Sequence, residues 1–319
     1  MPGKYKEEDL SKVRPISIKS RVSKVTLSDF VDPKKEKASN NADAYAALQA
    51  IFPSGLAGVS FKRFVKAIQR ARDEQKEILW LIGAHVIKCG LSLYVNSLID
   101  KGYITALATT GAATIHDLEL AFFGETSEDV ARELPLGRFG MSGETSAHYN
   151  AACALAGEEG LGLGEGIGRY IEAEKAPNDS FSVFAQAYRK SVPATVHVAF
   201  GTDIVHQHPA FPAALVGELT MRDFRILTHT VGRVFDGGVV IVMGSAVVLP
   251  EVFLKAVAVN YNLGRKPANV TAASFDMLSQ YRVRENILTR PFQNCGESHS
   301  FIGHHEIMLP LLYSLLVNA

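Results

Sequence analysis

The chain has 319 residues, 47% of them hydrophobic, enough for a large buried core. Lys plus Arg equals Asp plus Glu at 33 each, so no net field recruits nucleic acid or an anionic membrane surface. The three cysteines, Cys89, Cys153 and Cys295, lie far apart without a CxxC pair, which points to a reducing compartment rather than a disulfide framework. The first residues, MPGKYKEEDL, are charged where a secretory leader is apolar, and no apolar run approaches the ~20 residues of a membrane span. A cytoplasmic protein without nucleic-acid or membrane partners is expected.

Residues 1–43 read as a basic N-terminal arm, the first forty carrying ten Lys or Arg against six Asp or Glu. Such a segment buries little by itself. Its scattered apolar residues between 15 and 31 suit either packing on a neighbouring subunit or a mobile tail. Residues 44–319 read as a single α/β domain. Phe61, Phe64, Val65 and Ile68 recur at helical spacing after Ser60, predicting a capped amphipathic helix that runs toward Lys76. Residues 78–82 then read as a buried strand, 91–100 as a helix, 104–108 as a second strand and 113–123 as a second helix.

A helical insertion without strands is expected near 125–192, with helices at 126–133, 145–156 and 181–190. The glycine cluster Gly160, Gly162, Gly164, Gly166 and Gly168 offers no GxGxxG register and follows no strand, so it reads as a mobile loop. Strands resume at 196–200, 239–243 and 268–273, with helices at 212–219 and 250–260, and a last run at 300–302 leads to a closing helix at 306–316. The alternation predicts a Rossmann-like, mostly parallel sheet of about six strands with helices on both faces.

Histidines fall just past the expected strands: His85, His116, His206, His208 and His304. Ligands of open parallel sheets bind outside the carboxyl ends of the strands, and imidazole exchanges protons near neutral pH or ligates transition metals. For any one of them the plain alternative is a loop side chain bonded to nearby backbone. His197 sits inside a strand and reads as a core imidazole. Two strand-to-helix turns, Thr109-Thr110-Gly111-Ala112 and Gly244-Ser245-Ala246, are small enough for backbone N–H groups to approach a phosphate, although tight packing alone asks for the same residues.

Thr109 through Ala113 with Asp117 resembles the Thr-Thr-Ala-Gly-Gly…Asp turn of the deoxyhypusine synthase family. Thr202-Asp203, Gly244, the string from Thr271 and Ala272 through Ser274 and Phe275 to Asp276, and Leu309-Pro310-Leu311-Leu312 follow in the family's order. The resemblance runs from about residue 78 to the C-terminus, interrupted in the 125–190 region. It implies a deoxyhypusine synthase-like fold, a homotetramer with an arm covering a neighbour's pocket, and NAD that abstracts hydride from spermidine before a lysine carries the aminobutyl group. It also implies a cofactor grip by Thr109, Thr110, Gly111, Ala112, Gly244, Ser245, Ala246, Thr271, Ala272 and Asp276.

Departures from the family are as informative. Its catalytic lysine lies in a Trp-Gly-Lys turn, whereas this chain has no lysine between Ser279 and Glu285 and its single tryptophan is Trp80. An always-charged arginine cannot form the imine. Acids that hold the polyamine correspond to His116, His208 and His304, and an asparagine to His85. A pocket that trades carboxylates for imidazoles no longer compensates a polycation and suits a small neutral or anionic substrate. Lys88 adds positive charge and is either a replacement amine or a plain surface lysine. The expected catalytic groups are His85, His116, Asp203, His208 and His304. A second expectation is a metal-dependent hydrolase holding a divalent ion such as zinc through some of these with His206, the ligand set left open. A third is a non-catalytic metabolite-binding protein.

Overall fold

The computed structural model describes residues 10–34, 50, 52–53 and 55–317. The expected boundary between arm and domain at 43/44 lies outside the described residues. In chain order the elements are β1 (Ser23–Thr26), α1 (Leu56–Asp73), β2 (Ile78–Ile82), α2 (Ser92–Asp100), β3 (Ala106–Thr110), α3 (Gly111–Phe123) and β4 (Glu125–Glu128). They continue through α4 (Gly143–Glu158), α5 (Leu163–Ala173), α6 (Val183–Arg189), β5 (Ala194–His197), α7 (Ala213–Val234), β6 (Val239–Met243), α8 (Val248–Asn262), β7 (Val270–Asp276), β8 (Gly296–Ile302) and α9 (His305–Val317). None of the described helices is long and apolar enough to cross a membrane.

The main sheet has six parallel strands in the order β5-β3-β2-β6-β7-β8. Counted along the chain, this is the 3-2-1-4-5-6 order of doubly wound Rossmann sheets, and it reverses direction between β2 and β6. The fold is α/β and Rossmann-like, with helices on both faces, as the alternation predicts. Strand periodicity explains the two layers: Ile78, Trp80 and Ile82 face one core, Leu79 and Leu81 the other. Phe61 and Phe64 of α1 pack on Phe275 and Phe301 at ring separations of 5.0–6.3 Å, closing the first layer over β7 and β8. The Trp80 ring is fully buried and donates its Nε1–H to the Tyr103 carbonyl at 3.0 Å.

Several expectations are corrected. Ser60 does not cap α1, which begins after Gly55; its hydroxyl instead meets His299 Nδ1 at 2.8 Å. The 126–133 helix is in fact β4 followed by one turn at Val130–Glu133, and β4 pairs antiparallel with β1. The arm segment that was expected to sit on a neighbour or move freely is thus stitched to its own chain, with Ile18 and Arg21 buried. Of the glycine cluster only Gly160 and Gly162 lie in a turn; Gly164, Gly166 and Gly168 belong to α5, where a Cβ on Gly164 would lie 2.1 Å from the Ala194 carbonyl and one on Gly166 2.3 Å from Ala156. Those glycines let three elements approach closely, which a sequence pattern cannot distinguish from a flexible turn. The 212–219 helix extends through α7 to Val234.

Candidate functional site

At the point where strand order reverses, the turns after β2 and β6 touch. Gly83 donates its N–H to the Met243 carbonyl at 2.9 Å, and a Cβ on Gly83 would lie 1.9 Å from the Gly244 carbonyl oxygen. Gly244 has φ +71°, the left-handed region that glycine occupies without strain, and a Cβ there would stand 2.6 Å from His305 Nε2. Neither turn tolerates a side chain, and α8 begins just beyond Ser245 and Ala246. These close-packed turns mark the crevice position outside the strand ends, where Rossmann sheets receive dinucleotides. Asp276 closes β7 on the same edge, its Oδ1 accepting the Leu278 N–H at 3.3 Å. Of the residues here, Ser245 and Ala246 before α8 could approach the phosphates of a dinucleotide and Asp276 a ribose hydroxyl, whereas the N–H groups of Gly83 and Gly244 are held by the Met243 and Phe275 carbonyls.

Beside the crevice lies a cavity of about 220 Å³ whose walls include Arg21, Lys88, Ala112, His116, Glu119 and Asp203. Its polar wall is a buried network. Arg21 NH2 meets Glu119 Oε2 at 2.7 Å and its NH1 lies 3.8 Å from Glu128 Oε1. Glu119 also accepts the hydroxyls of Thr126 at 2.6 Å and Thr145 at 2.9 Å, and Glu128 accepts the Gly140 N–H at 3.0 Å. Both carboxylates therefore serve Arg21 rather than a ligand. His116 Nδ1 contacts Thr126 Oγ1 at 2.7 Å. Because the Thr126 proton goes to Glu119, the hydroxyl must accept from His116, which fixes the imidazole proton on Nδ1 and leaves a lone pair on Nε2. Burial pushes His116 down to about 4 against the attraction of Glu119, so the ring is neutral at pH 7.

Asp203 follows β5 and packs against the start of α3, so closely that a Cβ on Gly111 would lie 2.0 Å from Asp203 Oδ2. Burial raises Asp203 to about 6, opposed by its hydrogen bond from Thr202. A carboxyl thus already occupies the helix end that an anion would otherwise use. Lys88 forms no ion pair or hydrogen bond among the described residues and is half-buried in the cavity wall. With Arg21 neutralised by two acids, Lys88 and Asp203 set the charge that a ligand meets.

The structure gathers His116, Asp203, Gly111, Ala112 and Lys88 at the cavity, and His85, Gly244, Ser245, Ala246 and Asp276 around the crevice. Burial and then Lys88 lower His85, which also feels Asp276 and Glu306. Thr110 ends β3 half-exposed beside Gly111, while Thr109 points its hydroxyl into the protein, buried and without a partner. Other expected site residues fall elsewhere. His208 is buried with Nε2 on the Gly140 carbonyl at 2.9 Å, off the cavity wall. His206 Nδ1 accepts the N–H groups of Gly201 and Asp203 at 3.1 Å, because Ile204–Gln207 is a 3-10 turn rather than an extended segment. The paired imidazoles of the hydrolase expectation are therefore split.

His304 is exposed at the rim. Thr271 and Ala272 lie at the amino end of β7, in register with Val239 and Val240, a strand's length from the crevice. Arg21 and Glu119, which build the cavity wall, left no sequence signal: they are 98 residues apart and meet only through β1–β4 pairing. His305 also escaped notice, whereas Gly83 was legible as a small residue directly after a strand.

A family model described as arginine dihydrolase ArgZ-like, C-terminal, Rossmann fold, matches residues 62–146. No curated protein matches the sequence. Among solved structures, the apo arginine dihydrolase ArgZ from the cyanobacterial ornithine–ammonia cycle is similar at 15% identity and TM-score 0.52, covering 82% of this chain and 33% of that one. AgrE in ternary complex with ornithine and NAD+ is similar at 15% identity and TM-score 0.53, covering 81% of this chain and 32% of that one. A chain from Entamoeba histolytica described as a deoxyhypusine synthase is similar at 13% identity and TM-score 0.53, covering 86% of this chain and 92% of that one. This chain thus spans about a third of the length of the ArgZ and AgrE chains. At these identities the likeness shows the fold.

Proposed function

We propose that this chain is a divergent, deoxyhypusine synthase-like enzyme that binds NAD and acts on a small neutral or anionic substrate. The observation that carries the reading is the placement of the glycine turns after β2 and β6 and the start of α8 at the strand-order reversal, where Rossmann sheets receive dinucleotides. The NAD-bound state of AgrE supports it by analogy of fold. When bound, the nicotinamide would accept or donate hydride.

The chain's own groups take defined parts. Neutral His116 offers the Nε2 lone pair as proton acceptor, and Asp203, raised to about 6, exchanges a proton near neutrality. Lys88 supplies the unpaired cation that an anionic group would meet. The family's ordinary aminobutyl transfer is not part of this reading, since no lysine stands between Ser279 and Glu285. Assembly into a homotetramer is proposed alongside, supported by exposed Met277, Leu278, Tyr281, Ile302 and Ile307 on the segments after β7, the end of β8 and the first turn of α9.

Calorimetric titration with NAD+ tests the reading. Saturable one-to-one binding that weakens at least about tenfold in Asp276→Ala, an effect of lost ribose hydrogen bonds, is expected. Absence of binding at millimolar NAD+ refutes it and favours a non-catalytic role.

A further inference from the structure

Between β2 and α2 the chain makes one helical turn, Ala84–Val86, and then kinks within Ile87–Leu91, where Cys89 leaves helical geometry and Gly90 takes φ +80°. Such kinks have identifiable causes, here the left-handed glycine. This one brings His85 and Cys89 together with Glu306 from the first turn of α9: one ligand atom of each lies within 4.8 Å of the other two. None of the three side chains makes a hydrogen bond or ion pair with a described residue, so three lone-pair donors converge free of protein partners. Beside them His305, 1% exposed, packs its ring 5.5 Å from that of His85, and its Nδ1 is buried without a partner. Buried polar atoms of this kind are rare in folded proteins and call for a ligand.

We propose that His85, Cys89 and Glu306 bind a divalent transition metal of the zinc class. The donor set of nitrogen, sulfur and oxygen suits zinc or cobalt and not magnesium or calcium, which take oxygen ligands. Metal–ligand lengths of about 2.0–2.3 Å put tetrahedral ligands roughly 3.5 Å apart. Separations within 4.8 Å need a contraction of at most about 1.3 Å, and the exposed Glu306 side chain can supply its share of it. Lys88 opposes a cation here, and Asp276 and Glu306 offset it. Three protein ligands leave a fourth position for water or a substrate oxygen on the crevice side. This site keeps His85 from the strand-end histidines expected from the sequence but replaces the others by Cys89 and Glu306, and it does not depend on NAD binding.

The test is titration of chelator-stripped full-length protein with Co2+ and Zn2+. One equivalent of Co2+ with a thiolate-to-cobalt charge-transfer band is expected. The band should vanish in Cys89→Ser and persist in Cys153→Ser and Cys295→Ser, while His85→Ala weakens Zn2+ binding more than about tenfold. In the unaltered protein, Zn2+ should protect Cys89 from iodoacetamide, read by peptide mass spectrometry. That measurement stands even where a variant fails to fold. No stoichiometric uptake, a band that survives Cys89→Ser, or unchanged alkylation of Cys89 overturns the proposal.

Discussion

Replacing Arg21 by alanine tests whether the N-terminal segment is a working part of the domain. The guanidinium is 2% exposed, meets Glu119 at 2.7 Å and lies 3.8 Å from Glu128. Breaking a buried pair from one side costs ~3–5 kcal/mol, because the surviving charge stays out of water. Glu119 keeps the hydroxyls of Thr126 and Thr145, and Glu128 keeps the Gly140 N–H, so the loss should fall near ~3 kcal/mol. That is a large share of the ~5–15 kcal/mol typical of a folded domain. Urea unfolding followed by fluorescence of the single, buried Trp80 measures it directly. Arg21→Met combined with Glu119→Gln and Glu128→Gln removes the charges together and should recover most of the loss. A cost below ~1 kcal/mol for Arg21→Ala would mean that water reaches the pair, and the argument for a dry cavity wall would fail.

Alongside Asp117 and Asp223, which burial raises to about 7, Asp203 carries part of the pH dependence. Its folded value of about 6 lies above the ordinary ~3.9 of an unfolded aspartate, so the folded state holds more protons between those values and stability falls as pH rises across that window. Asp203→Asn should flatten this part of a stability–pH curve and also remove any weakening of an anionic probe above pH ~6; an unchanged slope rejects the assignment. Gly111→Ala should destabilise because its Cβ would meet Asp203 Oδ2, and Asp203→Ala should relieve that loss, giving a double-mutant coupling of ~1 kcal/mol or more where additivity would give none. His208→Ala should lower stability by ~1–3 kcal/mol in thermal melts, since it strands the buried Gly140 carbonyl. Undiminished stability with lost activity would return His208 to the site.

The strands show why the fold was readable. Ile78–Ile82 and Val239–Met243 are continuous apolar runs buried on both faces, and their spacing by helices leaves few topologies besides a parallel sheet. Boundaries were less secure. β3 runs to Thr110 rather than ending at Ala108, which turns Thr109 from a turn residue into a buried strand residue. The histidine pattern was legible in position but not in use: His85 and His116 do reach the carboxyl edge, whereas His206 is consumed by N–H groups of its own turn and His208 by the distant Gly140 carbonyl. Which nitrogen finds a backbone partner depends on a single 3-10 turn, and residue spacing does not encode it.

What the sequence determined by itself is the hydrophobic period of strands and helices, and with it the sheet and the carboxyl edge at which open parallel sheets bind ligands. Tertiary structure alone decided that Arg21 neutralises Glu119, that Asp203 fills the space beside Gly111, and that His85, Cys89 and Glu306 meet. Periodic burial is local and repeats along the chain, so it is written in neighbouring residues. Charge pairing and ligand convergence join side chains as much as 221 positions apart, from His85 to Glu306, and they exist only once β1 pairs with β4 and α9 closes over the crevice.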